Sequence, residues 1–145
     1  MSYAIATSTT DVHAVIDPIV EATWVSLGYS ADSIEWPNVN FIKSCGGPWM
    51  RVSYPQWSTV PFTWSAGVVQ NTTIGILAIQ VFAPRNAGDA VLLMASDKFR
   101  MTFERQSFGA GIRFREALGP NETFEPVWAG RLLTFPFEFI EDIQQ

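Results

Sequence analysis

The stretch from Asn71 to Phe103, NTTIGILAIQVFAPRNAGDAVLLMASDKFRMTF, constrains the fold most, because it encodes a buried strand, a sharp turn and an amphipathic helix in direct succession. Ile74, Ile76, Leu77, Ile79, Val81 and Phe82 are apolar on both faces of a pleat, which predicts a central strand covered on at least one side and paired on both edges. Pro84 removes a ladder donor and ends it. Asn86 is the expected helix N-cap, with Asp89 at the third helical position, where the first-turn N–H groups lack partners. The period then changes from two to about three and a half. Val91, Leu92, Ala95, Phe99 and Phe103 form one stripe, with Ser96, Asp97, Lys98 and Arg100 mostly off it, so this helix is expected to lie on a sheet.

The 145 residues suit a single domain, 1–145, able to bury about 70% of the surface that its unfolded chain exposes. With 48% hydrophobic and 16% charged residues, a disordered chain is excluded. Six Trp, three Tyr and eleven Phe are many for one domain and favour a subunit interface; the plain alternative is a dense aromatic core with a few exposed rings. A net charge of −5 without a basic cluster argues against a grip on phosphates. A single cysteine, Cys45, cannot form an internal disulfide or a multi-cysteine metal site. Met1 to Thr10 has neither a basic n-region nor an apolar h-region, and no apolar run approaches the roughly 20 residues that span a bilayer. The expectation is a soluble chain made in a cytoplasm, for which the sequons at Asn71 and Asn121 carry no meaning.

Taken in order, Thr9 or Thr10 caps a first helix through about Leu27, with Val12, Val15, Ile16, Ile19, Val20, Thr23, Trp24 and Leu27 on one stripe and Gly28 as its stop. Pro18 falls inside it; one kinked helix is expected, and a restart with Asp17 as cap is the alternative. Ile34-Glu35-Trp36 reads as a short extended segment stopped by Pro37-Asn38, and Val39-Asn40-Phe41 alternates. Gly46-Gly47-Pro48 turns into the strand Trp49 to Tyr54, which Pro55 closes. The stretch between Pro55 and Asn71 is too aromatic for a solvated loop and too interrupted by Pro61 and Gly67 for a central strand, so an extended arm or wide hairpin is predicted. Ser107 to Phe114 reads as a strand interrupted by Gly109 and Gly111, and Glu116 to Pro126 as a turn-rich excursion. Arg131 to Ile140 alternates, with Leu133, Phe135, Phe137 and Phe139 facing one way. Pro136 implies that this strand is an edge or that the proline points away from the ladder. The order gives an α+β fold: a mainly antiparallel β-sheet with two helices packed on one face and an extended β-hairpin arm.

Several of these pieces together resemble the tail terminator, or tail completion, proteins of long-tailed bacteriophages, over roughly Thr10 to Glu141. They are Trp36-Pro37-Asn38-Val39-Asn40-Phe41, Pro48-Trp49-Met50-Arg51-Val52, the strand Gly75 to Phe82 with the helix start Gly88-Asp89, and Trp128 and Arg131 leading into LLTFPFEF. Pro136 and the long excursion before it depart from the pattern. The resemblance implies a structural virion protein, assembled in the host cytoplasm and located at the head-proximal end of the tail. Such a protein forms a homo-oligomeric ring, usually hexameric, that caps the tail tube protein, stops polymerisation and meets head-completion or connector proteins. DNA passes through the lumen without specific binding, and no enzyme, cofactor or membrane is involved. A ring needs two different patches per subunit. The aromatic arm Trp57 to Val69 and the exposed side of the final strand are the candidates for the two, with Trp57, Phe62, Trp64, Arg51, Arg131 and Glu138 as the expected interface residues. The competing readings are another neck or head–tail connector component, or a small-ligand binding module or hydrolase with its pocket under the arm.

The catalytic alternatives are thin. A Cys–His pair would need Cys45 beside His13, with Asp11 or Asp17 to orient the ring; the plain reading is a small cysteine in a turn and a histidine on a helix. Gly109-Ala110-Gly111 precedes a strand and lacks the Lys of a phosphate loop. Glu122, Glu125, Glu138, Glu141 and Asp142 lack calcium-loop spacing, so no metal is expected. Arginine outnumbers lysine seven to two, which suits ion pairs across an interface or, equally, scattered surface charge.

Overall fold

The structure, a computed structural model, describes residues 9–37, 39, 41, 47–65, 68–85, 89–109, 111–124 and 127–144; in 9–11, 59–65, 68–71, 124 and 140–144 it describes the backbone alone. Helix α1 is Thr9–Ser26, followed by a 3-10 turn, Ala31–Ser33. Strands β1 (Ile34–Glu35), β2 (Trp49–Ser65) and β3 (Val68–Pro84) precede helix α2 (Ala90–Phe103). Strands β4 (Ser107–Phe108), β5 (Ile112–Phe114), β6 (Leu118–Phe124) and β7 (Trp128–Gln144) complete the chain. The sheet runs β1-β2-β3-β7-β5-β4, with β6 also on β7, and is antiparallel except for the β1–β2 pair. Both helices pack on one face of it, as the α+β reading expects.

The helix patterns map directly onto burial. Val12, Ile16, Val20, Thr23 and Trp24 of α1 are buried, with Val15, Ile19 and Leu27 packed beside them, and the helix is continuous through Pro18. Gly28 ends it with φ +95°. Leu92, Ala95, Phe99 and Phe103 of α2 meet Leu77, Ile79 and Val81 of β3 and Leu133 and Phe135 of β7 in one core. Each fully buried side chain of this size contributes about 1.5–3 kcal/mol. Trp24, Trp49, Phe82, Phe99 and Phe137 are all buried within the chain, so the dense aromatic core accounts for much of the aromatic excess. Ser96 lies in this core rather than off the stripe, its hydroxyl donating to the Leu92 carbonyl at 2.8 Å. Asp89 occupies the cap position rather than the third helical one, and no side-chain cap bond forms there. Its carboxylate turns instead to Arg131, at 3.3 Å. Asn86, Gly46 and Cys45 lie outside the described residues.

The strands depart from the sequence expectation through their prolines. Pro55 does not close β2: the register steps from Ser53↔Ala78 to Gln56↔Ile76, so two residues oppose one and Pro55 sits in a bulge. A second shift between Pro61 and Thr63 absorbs Phe62. The arm is therefore the distal half of a β2–β3 hairpin with 17 residues per strand. β7 is also 17 residues long, rather than ending at Ile140, and pairs with β3 along its whole length. Around Pro136 it is an interior strand, with β5 and β6 on the side away from β3; beyond Glu138 only β3 pairs with it among the described residues. Pro136 is accommodated because its carbonyl accepts the Arg115 N–H at 2.9 Å, away from β3, so its nitrogen also faces the gap between β6 and β5. Glu116 to Pro126 contains a strand, β6, where turns are expected. Val39 and Phe41 are not in a strand. Gly109 and Gly111 lie between β4 and β5, which pair as a hairpin rather than one interrupted strand.

Glu104, just past α2, holds the approach to β6. It accepts the Ala117 N–H at 2.8 Å and lies 3.3 Å from Arg100, and these partners, the N–H first, hold its carboxyl below the usual range. A depressed folded pKa gives stability that is present above the unfolded value and lost as pH falls through the folded one. Glu104→Gln is expected to lower the melting temperature at pH 7, and the gap to the parent should close in melts taken progressively below pH 4.5.

Candidate functional site

Strands of 17 residues at about 3.3 Å per residue span about 55 Å, whereas a globule of this chain length is about 40 Å across. The distal parts of β2, β3 and β7 therefore form a three-stranded ribbon that projects from the helix-covered sheet. From Val52 to Pro84 the sequence contains no charged residue and no histidine. The ribbon's construction dictates what it can do: two long stretches without charge, of β2 and β3, lie beside a third strand, β7, that carries Glu138, Glu141 and Asp142, all held out on a rigid base.

That base is an aromatic cluster. The bulge at Pro55 restores Tyr54 and Trp57 to one face, with ring centroids 5.7 Å apart at 20°. Trp57, Gly75 and Phe137 lie abreast across β2, β3 and β7, and the Trp57 and Phe137 rings meet edge-on at 5.5 Å. Gly75 permits this: a Cβ there would come within 2.6 Å of the Phe137 ring. Helix α1 closes the cluster from above. The Tyr54 hydroxyl donates to Asp17 at 2.6 Å, and His13 lies 3.2 Å from the other Asp17 oxygen and 4.2 Å from the Tyr54 ring. Burial first, then the Asp17 carboxylate, pushes the Tyr54 phenol far up, so it stays a donor. Tyr54→Phe is expected to cost about 1.5–3 kcal/mol, near the low end because Asp17 retains some access to water, read as a lower urea midpoint with unchanged slope.

The six expected interface residues separate along the strands. Trp57 is half-buried in this basal cluster, and Glu138 lies one register step away, 2.9 Å from Arg115. Phe62 and Trp64 lie farther out, where the backbone alone is described; the register sets Trp64, Val69 and Ile143 abreast near the tip. Arg51 and Arg131 sit at the opposite end of the sheet and on opposite faces. Arg51 bonds Glu35 at 2.6 Å and lies 5.4 Å over the rings of Trp49 and Phe82. Arg131, 14% exposed, lies between Asp89 at 3.3 Å and Glu122 at 3.1 Å. The arginine excess thus serves pairs within the chain at these sites. Tyr54, Gly75 and Phe137 were not marked as site residues by the sequence, and Asp17 only as a partner for His13; a glycine inside a strong strand pattern was the available signal.

A cleft of about 340 Å³ lies beside the start of α2, lined by Arg85, Asp89, Glu122, Thr123, Trp128 and Arg131 among others. It is at the end of the sheet opposite the arm, not under it. Among the described residues no group of three His, Cys, Asp or Glu side chains could hold a metal, and no helix is long and apolar enough to cross a membrane. The Cys45–His13 pairing lies outside the described residues.

Comparison with known proteins bears on what such a ribbon serves. The model of a family described as phage tail terminator protein matches residues 13–109, more than half of the chain, from within α1 through β4. Nine solved chains match the fold, one with a TM-score of 0.64 at 13% identity over 92% of this chain and 96% of that one, a likeness in fold alone. No curated protein matches.

Proposed function

Because the chain belongs to the phage tail terminator family, and so to the structural proteins of the phage tail, we propose that it closes into a ring of identical subunits, a hexamer by family resemblance, that caps the tail tube and stops its growth. The ring also offers its far side to head-completion or connector proteins. The observation that carries this reading is the projecting ribbon: a rigid three-stranded extension whose β2 and β3 stretches carry no charge is costly to leave alone in water and useful between subunits. Trp64 at the tip supplies a subunit contact, Phe62 contributes beside it, and Trp57 fixes the ribbon's angle. Arg51, Arg131 and Glu138 serve the interface by shaping the two sheet ends rather than by direct pairing. The acidic balance of the chain suits a lumen through which DNA slides without adhering. Assembly takes place in the host cytoplasm, and the product is the head-proximal end of the virion tail. No bond is made or broken, so no catalytic residue or cofactor enters.

The test is a tube-growth assay. Purified chain added to polymerising tail tube protein should give tubes of arrested length with density at one end. Tubes that keep growing, with the chain bound only to connector proteins, would favour the neck-component reading.

A further inference from the structure

The backbone of the ribbon specifies how copies join. The Pro136 carbonyl points away from β3, so Ile76, directly opposite, points towards β2, and Gln56, opposite that, points back towards β3. Alternation then turns the peptide groups of Trp57, Thr59 and Pro61 out from the free side of β2, and those of Ile140, Asp142 and Gln144 out from β7. Pro61 is tolerated because its missing N–H faces that free side. β1 covers β2 only at Met50 and Arg51, and β5 covers β7 only at Phe137 and Glu138, so among the described residues both stretches are unpaired edges. β2 and β7 run parallel to each other, since each is antiparallel to β3.

We propose that these two edges pair between copies: residues 57–61 of one chain lie beside residues 140–144 of the next, in a parallel seam. Charge selects this arrangement. Two β7 edges brought together about a two-fold axis would crowd Glu141 and Asp142 of one copy against those of the other, which is unfavourable, whereas β2 offers an edge without charge. A β2 edge facing a β7 edge is heterologous, so repetition generates a ring or an open array rather than a two-fold dimer. The inference rests on the ring reading and adds its contact: main-chain hydrogen bonds in a continuous inter-subunit sheet.

Thr59→Pro tests it, because the substitution removes an outward N–H and leaves the β2–β3 ladder intact. The variant is expected to keep the parent's melting temperature within about 3 °C, a shift of under about 1 kcal/mol, and to lose ring assembly at least tenfold in protein concentration. Ser58→Pro, whose N–H faces β3, should instead damage the fold. In the assembled parent the amides of Thr59, Ile140, Asp142 and Gln144 should exchange at least tenfold more slowly than in the monomer. A Thr59→Pro protein that forms rings normally overturns the seam while leaving the ring reading intact, as do rings in which those amides exchange at the monomer rate. Amides already protected in the monomer would show the edge to be covered by the chain's own residues and also overturn it. A parent that never associates removes the ring reading and the seam together.

Discussion

Phe137→Ala is expected to destabilise the monomer by about 3–5 kcal/mol, the range for emptying a packed aromatic site. The ring is fully buried and contacts Trp57 at 5.5 Å, Phe114 at 5.3 Å and Tyr54 at 6.4 Å between centroids, so neighbours cannot collapse into its place without abandoning one another. Gly75→Ala should cost about 1–3 kcal/mol for the opposite reason, because its new Cβ would sit 2.6 Å from the Phe137 ring. The two changes are coupled. In a Phe137→Ala background the Gly75→Ala penalty should nearly vanish, giving a double-mutant coupling of about 1–2 kcal/mol. Chemical denaturation of the four proteins measures it. Additive penalties would mean that the glycine is not there to admit the ring.

The second large effect separates two tryptophans that sequence alone treats alike. Trp64→Ser is expected to abolish assembly, with the monomer's melting temperature preserved, because the register places it near the ribbon tip beside Val69 and Ile143. Trp57→Ser is expected to unfold the ribbon base: it removes a half-buried ring packed on Tyr54 and Phe137, at about 2–4 kcal/mol, and assembly falls as a consequence of lost stability. Native mass and a thermal melt on each variant distinguish the two roles. A Trp64→Ser protein that assembles at the parent's concentration would remove the tip from the interface.

Much of the fold was legible because burial follows local period. The stripe of α1, the strand-to-helix switch at Asn71 to Phe103 and the inward alternation of Leu133, Phe135, Phe137 and Phe139 each depend on a residue's own neighbours in the chain. What was not legible depends on partners far away. Pro55 read as a strand stop, yet a bulge on an edge strand needs no donor where it stands. β6 has the composition of a turn, LGPNETF, and becomes a strand because β7 offers an unpaired edge. Asp89 looked like a first-turn acid and serves Arg131, which lies 42 residues on (131 − 89). At the candidate site the aromatic arm was visible from Trp57, Phe62 and Trp64, but the anchor was not. The Tyr54–Asp17 bond joins residues 37 apart, and nothing local in either segment announces it. Nor could spacing assign Arg51 and Arg131 to the end of the sheet away from the arm, since that placement follows from the strand register.

Whether the chain closes into a ring through the ribbon is decided by the native mass of the purified chain, taken with negative-stain images of the same sample and of tube ends. A closed particle at an integral multiple of 16.2 kDa is expected, six copies by family resemblance, seated on the tube end. A single-copy mass in solution, with no ring at the tube ends, would contradict it.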